Sequence, residues 1–106
     1  MKNCVRKWLE EQLHGMDASM AETIYSEYVA TVTRLFAELA TARMAGASAE
    51  AKISHLAHTL KGSASMVGDV SLHDAVARWR DAFKTGNLTK AERLWPTVER
   101  EVKANG

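Results

Sequence analysis

The sequence predicts an all-α protein, an antiparallel up-down four-helix bundle with an extra short N-terminal helix. Three observations carry this. Apolar residues recur every three or four positions through most of the 106 residues, which is the period of one helix face. Gly15, Gly46, Gly86 and Gly106 fall where such stretches run out, and glycine just past a helix end readily takes the left-handed conformation. No run alternates β-branched and polar residues as a strand would.

The first helix is read over about residues 2–14, where Val5, Trp8, Leu9 and Leu13 share a face. After Met16-Asp17-Ala18, Ser19 with Glu22 has the form of a capping box, each side chain satisfying a free backbone N–H. It opens a long helix over about 19–44, with Met20, Ile24, Tyr28, Val32, Leu35, Phe36 and Leu39 on its apolar side. Gly46-Ala47-Ser48 makes a turn, with Ser48 as N-cap of a third helix over about 49–67 that Gly68 ends. Ser71 with Asp74 forms a second capping box and starts a fourth helix over about 71–85, through Leu72, Ala75, Val76, Trp79 and Phe83. Gly86-Asn87 stops it. The last helix, about 89–104, carries Ala91, Leu94, Trp95, Val98 and Val102, with Leu88 just before it. Pro96 lacks an N–H and clashes with the preceding turn, which predicts a kink or a split. The last four helices make the core of this single domain, and the first is a lid or brace across one end.

Composition narrows the function classes. Apolar residues make up 46% and charged residues 25%, the balance of a folded globular chain rather than a disordered one. No apolar run is long enough for a membrane span, and Lys2 and Arg6 are followed by no apolar segment of a signal peptide. The chain has 14 basic and 13 acidic side chains, whereas a nucleic-acid binder usually shows a basic surplus. Cys4 is the single cysteine and cannot form an internal disulfide, which fits a reducing compartment, most simply the cytoplasm.

The third helix breaks the ordinary pattern. Residues advance by about 100° along a helix, so Ile53, Leu56, Ala57, Ser63, Ala64 and Val67 lie within about 60° of Leu60. The opposite side collects His55, His58, Gly62, Ser65 and Asp69, with Lys61 on the flank. His58 sits in the middle of a solvent stripe. Gly62 sits in a helix interior, where glycine costs about 0.5–1 kcal/mol relative to alanine. One turn from His58 on the same face, it leaves an open approach to the imidazole, with the Lys61 charge within reach.

A neutral imidazole is a competent nucleophile near pH 7, its reference pKa being about 6.5. A phosphoryl group attacked by it becomes a phosphoramidate, whose negative charge a nearby ammonium offsets. On residues alone a second reading stands beside this one: a surface histidine next to a surface lysine and a chance glycine.

The stretch Ala57-His58-Thr59-Leu60-Lys61-Gly62-Ser63-Ala64, followed by Val67-Gly68 and Leu72, resembles the signature of histidine-containing phosphotransfer (HPt) domains of bacterial phosphorelays. The family pattern is roughly A-H-x-L-K-G-[SA]-[SA], then an aliphatic-Gly pair and a leucine in the next helix, and each position matches. Outside this motif the likeness is one of length and helix order. The resemblance implies a four-helix bundle in which His58 is the phosphoryl acceptor and donor. Lys61 would steady the phosphoryl group and Gly62 would leave room for the partner. It implies a response-regulator receiver domain as partner, upstream a hybrid sensor histidine kinase, and Mg²⁺ on the receiver with no cofactor on this chain. It implies a phosphocarrier without kinase activity of its own; a monomer is expected, and the starting methionine and short length favour a free-standing protein over a piece of a larger hybrid kinase without deciding between them. Two positions depart from the pattern: Ser65, where the family often has glycine, asparagine or a charge, and Asp69, where alanine or leucine is common. With His55 and Met66 they are expected on the partner-facing surface, aided by Met20 or Tyr25.

Other chemistries fit less well. A zinc site needs about four ligands, and di-iron bundles need inward Glu-x-x-His pairs. Neither His55 nor His58 follows a glutamate by three residues. Trp8, Trp79 and Trp95 lie on apolar stripes and read as core. Lys84, Lys90 and Arg93 read as a solvated charged face. A helical adaptor that docks a receiver without transferring phosphate, or a sink that drains it, remain rival functions.

Overall fold

The computed structural model describes residues 1–12, 14 and 17–105, with the backbone alone at 47. Among them are helices α1 (Asn3–Gln12), α2 (Ala18–Ala45), α3 (Glu50–Met66), α4 (Val70–Lys84) and α5 (Leu88–Lys103), with a 3₁₀ turn at Gly46–Ala49 between α2 and α3. Leu13, Gly15, Met16 and Gly106 lie outside the described residues, and with them the helix stops expected at Gly15 and Gly106. Short connections force α2 to α5 into alternating directions. Each packs on the next, and α5 returns against α2 to close the bundle. At 28 residues, α2 is about 42 Å long, and it sets the long dimension of a molecule measuring 47 × 19 × 18 Å.

The core follows the periodicities. α2 buries Tyr28, Val32, Leu35, Leu39 and Ala42; the alternating steps of four and three keep one seam facing inward. α4 buries Leu72, Ala75, Val76, Trp79 and Ala82, and α5 buries Ala91, Trp95, Val98 and Val102. Trp79 joins the two layers, with its ring centroid 5.4 Å from Phe83 and 5.3 Å from Trp95, which stacks on Phe36 at 5.0 Å. Such pairs add to simple area burial. Pro96 lies inside an unbroken α5, so the expected split does not occur. The proline is exposed, and the flanking Trp95 and Val98 hold both halves of the helix to the core.

The helix starts differ from those predicted. Asp17, not Ser19, caps α2, its carboxylate accepting from the Met20 N–H at 2.9 Å and the Ser19 hydroxyl at 2.8 Å. Asp69, not Ser71, caps α4, accepting from the Leu72 N–H. Asn87 caps α5 through the Lys90 N–H. At α3 the cap position is Ala49, with no side-chain hydrogen bond, and Ser48 donates back to Ala45.

α1 braces the end of the bundle where α3 meets α4. Val5 and Leu9 enter the core, and Trp8 packs against it. Gly68 stands at φ +70°, and a Cβ there would lie 2.7 Å from that of Trp8. The brace is fastened by a buried polar cluster around Asp69, which is fully inaccessible. Its carboxylate accepts from Lys2 Nζ at 2.9 Å, Tyr28 Oη at 2.6 Å and Asn105 Nδ2 at 2.7 Å, and Lys2 also pairs with Glu101 at 3.1 Å. Burial alone would raise the Asp69 carboxyl. The hydrogen bonds from Tyr28, Asn105 and Lys2, with the Lys2 charge, outweigh it and hold the group below the usual carboxylate range. Burial, then the bond to Asp69 and its charge, push the Tyr28 phenol far up.

Candidate functional site

α3 divides cleanly into two faces. Ile53, Leu56, Ala57, Leu60 and Ala64 are buried. Lys52, His55, His58, Gly62, Ser65 and Met66 are exposed, and Lys61 is half-exposed between them. The inward stripe of aliphatic and alanine side chains lets α2 and α4 press close on both sides. That fixes the rotation of α3 and thereby aims His58 outward from the middle of the helix.

Among the described residues no side chain bonds to the rings of His55 and His58 or to the Lys61 ammonium. The one polar contact within this face is local, Thr59 Oγ1 donating to the His55 carbonyl at 3.0 Å. Nor do three His, Cys, Asp or Glu side chains converge as metal ligands among the described residues. Gly62 is decisive for the shape. It does not sit at positive φ, and a Cβ there would meet nothing within 4 Å. Neither turn geometry nor packing inside the chain calls for glycine, yet it costs about 0.5–1 kcal/mol in a helix interior. Its bareness leaves the surface open about 6 Å along the axis from His58.

Lys61 leans toward α4, where it borders a shallow recess of about 190 Å³ with Arg80, Asp81 and Lys84. Lys52 leans the other way, beside Glu38 and Thr41 of α2. The recess gathers three cations and one carboxylate next to the His58 face, a local positive field in a chain of net charge +1. Sequence reading grouped Lys84 with Lys90 and Arg93 and passed over Arg80, because the register of α4 against α3 is a tertiary fact that neither helix's periodicity records.

Asp69 requires a correction. It is not on the partner-facing side. Continuing the rotation of α3 to position 69 is invalid, because the helix stops at Met66 and Gly68 reverses the backbone. The Asp69 N–H returns to the Ala64 carbonyl at 2.9 Å, and its side chain turns inward to Lys2, Tyr28 and Asn105. Met66 is 75% exposed and Met20 49%. Tyr25 is half-buried, its hydroxyl donating to the Asn105 carbonyl.

A family model for the Hpt domain matches residues 23–104. The chain belongs to the Hpt domain family. The match begins within α2 and runs through α5, leaving α1 outside it. Searches among curated proteins and solved structures give no match. Hpt domains are helical phosphocarrier bundles, not kinases. They act in phosphorelays, where they interact with receiver domains and kinases. No helix among the described residues is long and apolar enough to cross a membrane.

Proposed function

We propose that this Hpt domain is a phosphorelay intermediate in which His58 takes a phosphoryl group from one receiver aspartate and passes it to another. The observation that supports it best is His58 standing clear of the bundle with bare backbone one turn further on. In the forward step a ring nitrogen of His58 attacks the phosphorus of the receiver's aspartyl phosphate. A P–N bond forms, the P–O bond to the aspartate breaks, the carboxylate leaves with its electron pair, and the ring's N–H proton can pass to solvent. The return step reverses this on the second receiver.

The domain's part is positioning. Lys61 offsets charge on the phosphoryl oxygens. Gly62 admits the receiver surface, which also covers His55, Ser65 and Met66. The receiver brings the Mg²⁺, and this chain contributes no cofactor. A hybrid sensor kinase feeding a cytoplasmic relay through a monomeric carrier is the simplest setting.

The test is to incubate the protein with a phosphorylated receiver and look for acid-labile, base-stable phosphate on the chain. His58→Gln should remove the label and leave helical content unchanged. Labelling of that variant overturns the assignment. Docking of the receiver with no label on the wild type would favour the adaptor reading.

A further inference from the structure

The two flanks of α3 differ in charge on either side of His58. Toward α2 the cations have a carboxylate at hand: Arg34 pairs with Glu38 at 3.4 Å, and Lys52 borders the same Glu38. Toward α4, Lys61, Arg80 and Lys84 surround one recess, and Asp81 is the one carboxylate among the described residues that line it. None of these three cations forms an ion pair among the described residues. Lys84 is exposed, and Lys61 and Arg80 are half-exposed. The Arg80 side chain is covered as far as Nε, which is buried, so the recess meets it at its Nη amines.

The recess lies beside the nucleophile. α3 and α4 run antiparallel, so one turn back along α3 corresponds to one turn on along α4. Lys61 borders Arg80 and Asp81, and this puts Lys84 at the level of His58 on the neighbouring helix. At about 190 Å³ the recess is smaller than the roughly 300–1,000 Å³ of small-molecule sites. It is the size for a single side chain from another protein.

We propose that this recess takes an aspartate or glutamate side chain from the receiver's docking face, and so sets which way round the receiver sits on α3. The proposal rests on the phosphocarrier reading for its partner. A receiver that holds Mg²⁺ does so with carboxylates and phosphate oxygens, so negative charge surrounds its reacting aspartate. The uncompensated cations lie on the α4 side of His58 alone. An acidic edge is drawn over α4 and repelled from Glu38, and receivers with a neutral or basic residue at that edge dock less well. Arg80 and Lys84 are positioning residues: they act on docking and leave the attack on phosphorus to His58.

The probe is a receiver domain chosen for binding to the wild-type chain, charged with acetyl phosphate and Mg²⁺ for the transfer arm. Single-turnover transfer is followed against receiver concentration. Lys84→Glu should raise the half-saturating concentration about fivefold. Adding Arg80→Glu should bring this to about tenfold or more, with the plateau rate within about twofold of wild type. The same reversal on the other flank, Lys52→Glu, should shift half-saturation by less than about twofold. Raising salt from about 50 mM to about 500 mM should cost the wild type the same advantage and change the double variant little. Unmoved half-saturation in Lys84→Glu, or an equal effect of Lys52→Glu, overturns the proposal. So does a loss confined to the plateau rate, which would put the cations on the phosphoryl group instead. Lys84→Glu and the salt series stand even if the double variant folds poorly. Binding of the uncharged receiver, read from ¹⁵N amide shifts, should give the same order of affinities. That arm needs no transfer, so a chain that docks a receiver through this recess without accepting phosphate would sink the phosphocarrier reading and leave this one standing.

Discussion

The outer face of α3 and the α1 end of the bundle treat polar side chains in opposite ways. Around Asp69, polar groups from Lys2 just before α1, from α2 and from the chain's C-terminal turn converge on one inaccessible carboxylate. On the outer face of α3, the His55 and His58 rings are exposed, and neither they nor the half-exposed Lys61 ammonium bond to a side chain among the described residues. The first arrangement holds the fold together, and removing any member leaves a buried group unmet. The second contributes nothing evident to the fold and leaves its chemistry free for another molecule. Polar groups spent inside the chain stabilise it, and those left over on α3 are the ones the proposed phosphotransfer uses.

This contrast can be broken in measurable ways. The largest effect belongs to His58→Gln, which should abolish phosphoryl uptake while changing unfolding free energy by less than about 0.5 kcal/mol, as surface substitutions do. A large loss of stability in that variant would erase the distinction. Asp69→Asn should do the reverse, lowering stability by about 3 kcal/mol in urea unfolding, because it leaves Lys2 and other buried donors poorly matched, while folded molecules still transfer phosphate.

The same carboxylate sets a pH dependence. Its folded-state pKa lies below its unfolded value, which is about 3.9. Its stabilisation is therefore complete above about pH 4 and disappears as pH falls through the folded value. The stability gap between wild type and Asp69→Asn should narrow from pH 6 toward pH 2.

Gly62→Ala sharpens the other side. With open space around a Cβ there, it should raise stability by about 0.5–1 kcal/mol and slow transfer to a receiver, a bulkier residue slowing it more. An unaltered transfer rate with a large residue would mean that Gly62 admits nothing. The smallest effect is expected at the exposed Arg34–Glu38 pair, 3.4 Å apart, where Glu38→Gln should cost only about 0.3–0.5 kcal/mol.

The face of α3 was legible because its logic is local. A stripe from Ile53 to Ala64 fixes the inner side, and His58 and Gly62 follow by rotation. Asp69 was misjudged because that rotation was carried past the glycine turn that ends it. An Asp three residues before Leu72, just after a glycine, was the available signal for a cap. The pattern Ser-x-x-acid drew attention instead, although Asp17, Asp69 and Asn87 are the side chains that cap. Lys2, Tyr28 and Asn105 come from distant parts of the chain, and no periodicity announces that they meet. The cation-rich recess around Arg80 was hidden for the same reason, being a product of how helices sit together.

Trp8 resting on the α3–α4 turn leaves a trace that aligned relatives would reveal. Position 68 is held to glycine twice over, once by its left-handed backbone and once by the indole above it. Asparagine tolerates the backbone but not the collision. Lineages that discard the N-terminal helix, or place a small residue at position 8, should be the ones in which asparagine turns up at 68.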